Sequence, residues 1–171
     1  MPGSEVAKFN WIIPQLEKLC YLYRPLRILD VGTGSGLLAD YLAKTNWDYV
    51  LDGVEVWEPY VEEFGLTQKY STLYVQDARE FTDWAGYDVV MFGDILEHMS
   101  KEDAIALWNS AAEVRHRFIA IPTVHCPQGE EHGNPYEVHV KDDWSHREVM
   151  DSFPGLTACS PQYAIVKAYM T

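Results

Sequence analysis

Acidic side chains stand at Asp30, Glu55, Asp77 and Asp94, each closing a short apolar run, and Glu97-His98 follows the last of them. A carboxylate so placed can accept paired hydrogen bonds from a sugar diol, or a single one from an amine. An imidazole can carry a proton near neutrality, which His98 and the more distant His139 could do. Just after Asp30 runs Gly32-Thr33-Gly34-Ser35-Gly36, with three glycines at every second position. Such a run lets the backbone turn tightly and approach a ligand where any side chain would clash. These residue types describe a nucleotide-cofactor site with a proton-transfer group beside it.

The glycine spacing narrows the cofactor. A dinucleotide fingerprint needs G-x-G-x-x-G, and counting from Gly32 puts Leu37 where the third glycine should stand, which disfavours an NAD-dependent oxidoreductase. The register is D-x-G-x-G-x-G, from Asp30 to Gly36. This pattern resembles the first motif of the class I S-adenosylmethionine (SAM) dependent methyltransferases, a seven-stranded Rossmann-like family. Three further segments match that family in order: Leu51 to Pro59, Tyr74 to Ala78, and Tyr87 to Met99.

The resemblance implies a role for each matched position. Gly32, Thr33, Gly34 and Gly36 form the cofactor turn, and Asp30 orients the methionine end of SAM. Glu55 binds the ribose hydroxyls, and Val56 or Trp57 packs on the adenine. Asp77 reads the exocyclic amine of the adenine while the Ala78 amide donates to the ring. Asp94, or the Gly93 carbonyl, holds the methionine ammonium. His98 and His139 contact the acceptor, with His98 as the candidate base. The expected reaction is methyl transfer from SAM to a small-molecule acceptor.

No metal is assigned to the site, although a rival reading supplies one. Asp94-x-x-Glu97-His98 with a downstream His139 or His125 resembles the metal site of methyltransferases that act on the terminal 2'-hydroxyl of small RNAs, which carry E-x-x-E-H. Here Asp94 replaces the first Glu. That rival is a metal-assisted RNA 2'-O-methyltransferase; another is a SAM-binding module without catalysis. His125, His132, His139 and His146 recur every seven residues, but Pro127, Gly129, Gly133 and Pro135 break any helix that could align them.

The elements that must position these groups follow from periodicity. Apolar residues at helical spacing from residue 5 to about 22 form a short N-terminal cap within residues 1–25. Strands are expected at 27–32, 49–56, 72–77, 87–94 and 118–122, with helices from Leu37 (capped by Ser35) and from near Pro59, Arg79 and Lys101. Another helix is expected over 144–153. Such alternation implies a doubly wound, mostly parallel α/β sheet whose ligands sit beyond the carboxyl ends of the strands. Strands at 156–160 and 163–170 would add a C-terminal antiparallel hairpin and bring the total to seven. The polar stretch 123–143 is long enough to be a substrate loop.

Composition sets the remaining limits. The 171 residues suit one domain, 1–171, and 13 basic against 26 acidic residues give a net charge of -13. That charge argues against a nucleic-acid partner, since no basic patch offsets it. Without a membrane span or leader pattern, a cytoplasmic chain is expected. Cys20, Cys126 and Cys159 form no C-x-x-C pair, so free thiols are expected.

Overall fold

Six strands form one sheet in the order β3-β2-β1-β4-β5-β6. They are β1 (Leu26–Val31), β2 (Tyr49–Glu55), β3 (Thr72–Val75), β4 (Val89–Gly93), β5 (His116–Ala120) and β6 (Val166–Tyr169). The structure is a computed structural model, and it describes residues 8–156 together with the backbone of 166–169. The first five strands pair in parallel and β6 runs antiparallel to β5. The expected strand at 156–160 falls almost wholly outside the described residues, so six strands are seen among those described.

The strands read as apolar runs because both faces are covered. Along β1, Leu26 and Ile28 join one core with Phe9, Ile12, Leu16 and Leu42, while Leu29 and Val31 join the opposite core with Phe92, Trp108 and Phe153. β4 alternates in the same way, Val89 and Met91 on one face and Val90 and Phe92 on the other. Helices α1 (Phe9–Cys20) and α2 (Leu37–Leu42) cover the first face, and α5 (Lys101–Ser110) and α6 (His146–Ser152) the second. Pro14 lies inside α1, which continues through it.

Three local expectations are corrected. Helix α2 is entered through Gly36 at φ 76°, without the side-chain cap assigned to Ser35, because a glycine takes the left-handed turn that joins strand to helix. The segment near Arg79 is only a 3₁₀ turn, Ala78–Glu80, capped by the Asp77 side chain. The helix near Pro59 splits into α3 (Glu58–Glu63) and α4 (Leu66–Lys69), broken at Gly65 with φ 61°. No helix among the described residues is long and apolar enough to cross a membrane.

Candidate cofactor and acceptor site

Strand order reverses between β1 and β4, and the cleft of a doubly wound sheet opens at such a point. The turn that follows β1 forms one wall. Gly32, Gly34 and Gly36 take φ of 76°, 50° and 76°, values that L side chains rarely adopt. The turn is tied to β2 by Gly32 and Thr33 amides that donate to the Val54 carbonyl at 2.9 and 3.2 Å. From α4, Lys69 donates to the Ser35 carbonyl at 2.9 Å and braces the turn from behind.

Glu55 closes β2, is 5% exposed, and locks into this turn. Its Oε2 accepts from Thr33 Oγ1 at 3.1 Å and the Gly34 amide at 2.9 Å, and its Oε1 from the Trp57 amide at 2.9 Å. Burial pushes its carboxyl above the ordinary value, against the pull of these donors. A carboxylate has about four acceptor positions and three are taken, so Glu55 keeps one, on Oε1, for a ligand hydroxyl.

Asp30 lies beneath the turn rather than in the cleft lining, and its Oδ2 accepts from Tyr70 Oη at 2.7 Å. Gly53 on β2 makes the approach possible, since a Cβ there would meet Tyr70 Cδ1 at 2.9 Å. Burial raises the Asp30 carboxyl to about 6; the Tyr70 hydrogen bond and Lys8 oppose the rise and Glu55 adds to it.

Asp77 lines the cleft beyond β3, but Arg79 grips it. The Arg79 amide donates to Oδ1 at 2.9 Å and its Nε to both oxygens at 3.0 and 3.1 Å, holding the carboxyl below its ordinary value. Asp94 follows β4 at φ 52°, a strained position for a non-glycine residue, and pairs with the Lys8 ammonium.

Beyond Asp94, Glu97 is 1% exposed and its Oε2 is buried without a hydrogen-bond partner among the described residues. Burial, and then Asp94, pushes its carboxyl well up. His98 and His139 stand with ring centroids 4.8 Å apart at 75°. His98 Nδ1 faces the Val138 carbonyl at 3.3 Å and His139 Nδ1 the Cys126 carbonyl at 2.5 Å. A carbonyl can only accept, so in each neutral ring Nδ1 carries the proton and Nε2 the lone pair. One ligand atom from each of Glu97, His98 and His139 lies within 4.8 Å of the others, a spacing that can hold a metal ion. Burial, and then His139, lowers His98 to about 4, so its imidazole is neutral at pH 7 and a weak base.

The 123–143 segment delivers His139. The Lys141 amide donates to the Glu97 carbonyl at 3.0 Å, and the His139 amide to the Gln128 carbonyl at 3.1 Å. Further along the segment, Tyr60 Oη donates to Glu137 Oε1 at 2.9 Å, and Gln128 Nε2 to the Glu137 carbonyl at 2.8 Å. Cys126, Gln128, Asn134, Tyr136, Glu137 and His139 thus form a roof over the cleft.

Ten of the twelve expected site residues line this one cleft: Gly32, Thr33, Gly34, Glu55, Val56, Asp77, Ala78, Asp94, His98 and His139. Asp30 and Gly36 support it from behind. His125, with a side chain 70% exposed beside Asp142 at 3.8 Å, stands outside the Glu97 cluster. Sequence reasoning missed Lys8, Tyr60, Tyr70 and Asn134, which carry no local motif and reach the site only through packing.

Solved structures share this fold at low identity. The chain matches a proposed O-methyltransferase from Nostoc punctiforme PCC 73102 at 19% identity and a TM-score of 0.63, over 91% of this chain and 55% of that one. It matches the small RNA methyltransferase HEN1 at 14% identity and a TM-score of 0.67, over 95% of this chain and 25% of that one. The N-terminal domain of EvdMO1, crystallised with SAH bound, matches at 15% identity and a TM-score of 0.59, over 91% of this chain and 78% of that one. The chain therefore spans about half the length of the first of these and a quarter of the second. No family model and no curated protein matches the sequence. The architecture is the class I methyltransferase fold.

Proposed function

We propose that this chain, built on the class I methyltransferase fold, transfers a methyl group from SAM to a small-molecule acceptor. The observation that carries the reading is the convergence of the left-handed glycine turn with Glu55, Asp77 and Asp94 on one cleft at the reversal of strand order. These groups suit SAM: the spare acceptor position on Glu55 fits a ribose hydroxyl, and the acid Asp77, followed by Ala78, fits an adenine edge. Bound SAM supplies a methyl group already activated on a sulfonium, so the protein's share is orientation. Glu55 and the turn fix the nucleoside, Asp30 stiffens the turn from below, and Asp94 receives an ammonium. The roof residues Tyr136 and His139 face the acceptor. Isothermal titration with S-adenosylhomocysteine (SAH) tests the donor half, with at least a tenfold loss of affinity expected in Glu55→Ala. Absence of SAH binding by the unaltered chain would refute the proposal. A screen of acceptors for SAH formation tests turnover and separates an enzyme from a binding module.

A second reading adds a divalent ion, and the Glu97, His98 and His139 cluster favours it. The donor set fits: a buried carboxylate oxygen lacks a partner, and two imidazoles are oriented by carbonyls as metal-bound rings usually are. A bound ion would supply Lewis acidity toward an acceptor hydroxyl. On this reading Glu97, His98 and His139 hold the ion, while Asp94 stays with Lys8. The small RNA methyltransferase likeness favours an RNA acceptor, whereas a net charge of -13 favours a small molecule over RNA. Activity that survives a chelator would remove the ion from the mechanism.

A further inference from the structure

Five carboxyl side chains line the cleft, those of Glu55, Asp77, Asp94, Glu97 and Glu137. Two of them are neutralised, since Arg79 pairs with Asp77 and Lys8 with Asp94. The other three have no ion-pair partner among the described residues. The groups that donate to Glu55 are two backbone amides and the Thr33 hydroxyl, and those that donate to Glu137 are the Tyr60 hydroxyl and the Gln128 amide. None of these donors carries a charge.

Glu137 hangs from the roof, is 8% exposed, and accepts from Tyr60 Oη on Oε1 at 2.9 Å and from Gln128 Nε2 on Oε2 at 3.2 Å. Across the cleft from the nucleoside wall, Glu97 is 1% exposed and its Oε2 is buried with no hydrogen-bond partner among the described residues. An acceptor enclosed and unmade in this way points to a ligand that completes it. Glu55 closes β2 and Glu97 follows β4, the two strands that flank β1. Burial chiefly, and Glu137 among the smaller causes, raises the carboxyls of both. The roof acid therefore stands within electrostatic reach of both sides of the glycine turn, in a cleft with negative potential to spare.

We propose that Glu137 makes the cleft select the charge on the donor sulfur, favouring the sulfonium of SAM over the neutral thioether of SAH. The inference rests on the donor reading above and assigns to it a residue of the roof. With the nucleoside held at Glu55 and the acceptor beside Glu97 and His139, the reacting sulfur lies between the two acids that Glu137 reaches. In the transfer the sulfur–methyl bond breaks and its electron pair stays on sulfur, so the product has lost the charge that the carboxylate attracts. The effect falls on binding rather than on the barrier: the charge that retains SAM does not retain SAH, and spent donor yields to fresh donor.

Isothermal titration of SAM and of SAH tests this, with a chelator present so that no divalent ion competes for the acids. In Glu137→Gln the ratio of the Kd for SAM to the Kd for SAH is expected to rise at least about fivefold, while the Kd for SAH itself stays within about twofold. Retained SAH binding also certifies that the variant is folded. Glu137→Asp, which keeps the charge, should hold the ratio near its original value. An unchanged ratio in Glu137→Gln would overturn the inference, as would an equal rise in Glu137→Asp. Equal weakening or loss of both ligands in Glu137→Gln would overturn it too, because Glu137 would then only build the roof. If the unaltered chain binds neither ligand, the donor reading itself fails, an outcome distinct from these.

Discussion

Tyr70 donates to Asp30 at 2.7 Å beneath the glycine turn, in a space that Gly53 leaves open by lacking a side chain. The carboxyl is fully enclosed, and desolvation outweighs the hydrogen bond and lifts it to about 6 from 3.8. Below pH 4 the group is protonated in folded and unfolded chains alike and costs nothing. As pH rises through about 6, the folded chain must bury a charge that the unfolded chain exposes, so stability is lost. Asp30→Asn should therefore flatten the stability profile between pH 4 and 7 and gain up to about 3 kcal/mol at neutral pH, less what the weaker Tyr70 contact forfeits. Urea denaturation across that range measures it. Parallel profiles for the two chains would contradict the assignment.

Gly36→Ala should destabilise the turn for two reasons. At φ 76° an L residue is strained by about 1–2 kcal/mol, and its Cβ would meet Lys69 Cδ at 2.8 Å and Leu66 Cδ2 at 3.1 Å. Displacing Lys69 also forfeits its bonds to the Ser35 carbonyl and Asp40. Gly86→Ala is the control, since φ there is 93° with nothing within 4 Å. Chemical denaturation should place Gly36→Ala at least about 1 kcal/mol below Gly86→Ala; similar values would show that the contact with Lys69 relaxes freely.

The Glu97 cluster predicts a divalent-ion site. Titration of the apo chain with Mn²⁺ or Zn²⁺ should reveal one site, weakened about 10–100-fold in His139→Ala and in Glu97→Gln. His125→Ala, at a side chain 70% exposed and outside the cluster, should leave the titration unchanged. Equal ion binding by all three variants and the unaltered chain would dispose of the site.

Tyr60 ties the roof to α3 through Glu137. Removing the hydroxyl in Tyr60→Phe leaves the buried Glu137 without that donor, at a cost of about 1–3 kcal/mol concentrated in the roof. Limited proteolysis within 123–143 should accelerate, and added SAH should slow it again if the roof closes on the ligand. Cleavage at the original rate would mean that the Gln128 bonds hold Glu137 alone.

The glycine turn and the strand-end acids were readable along the chain because they are local. A left-handed φ at three alternate residues demands glycine, and an apolar run covered on both faces must end where polar residues begin, as Glu55 and Asp94 do. The same reasoning stopped at contacts of long sequence separation. His98 and His139 could be named as candidates, but their 4.8 Å approach depends on Lys141 anchoring its loop to the Glu97 backbone. Ser35 had the composition of a cap, yet Gly36 took the position because the backbone there must turn left-handed.

By itself, then, the sequence determined the five parallel strands, the glycine turn and the acids at the strand ends, since each depends on φ, ψ and side-chain alternation over a few residues. Tertiary structure alone decided that Lys8 would meet Asp94, that Tyr70 would reach Asp30 and that Glu97 would be sealed from water with two imidazoles beside it. Those pairings arise from how helices and loops pack on the sheet, and burial, which exists only after packing, sets the charge that each group can carry.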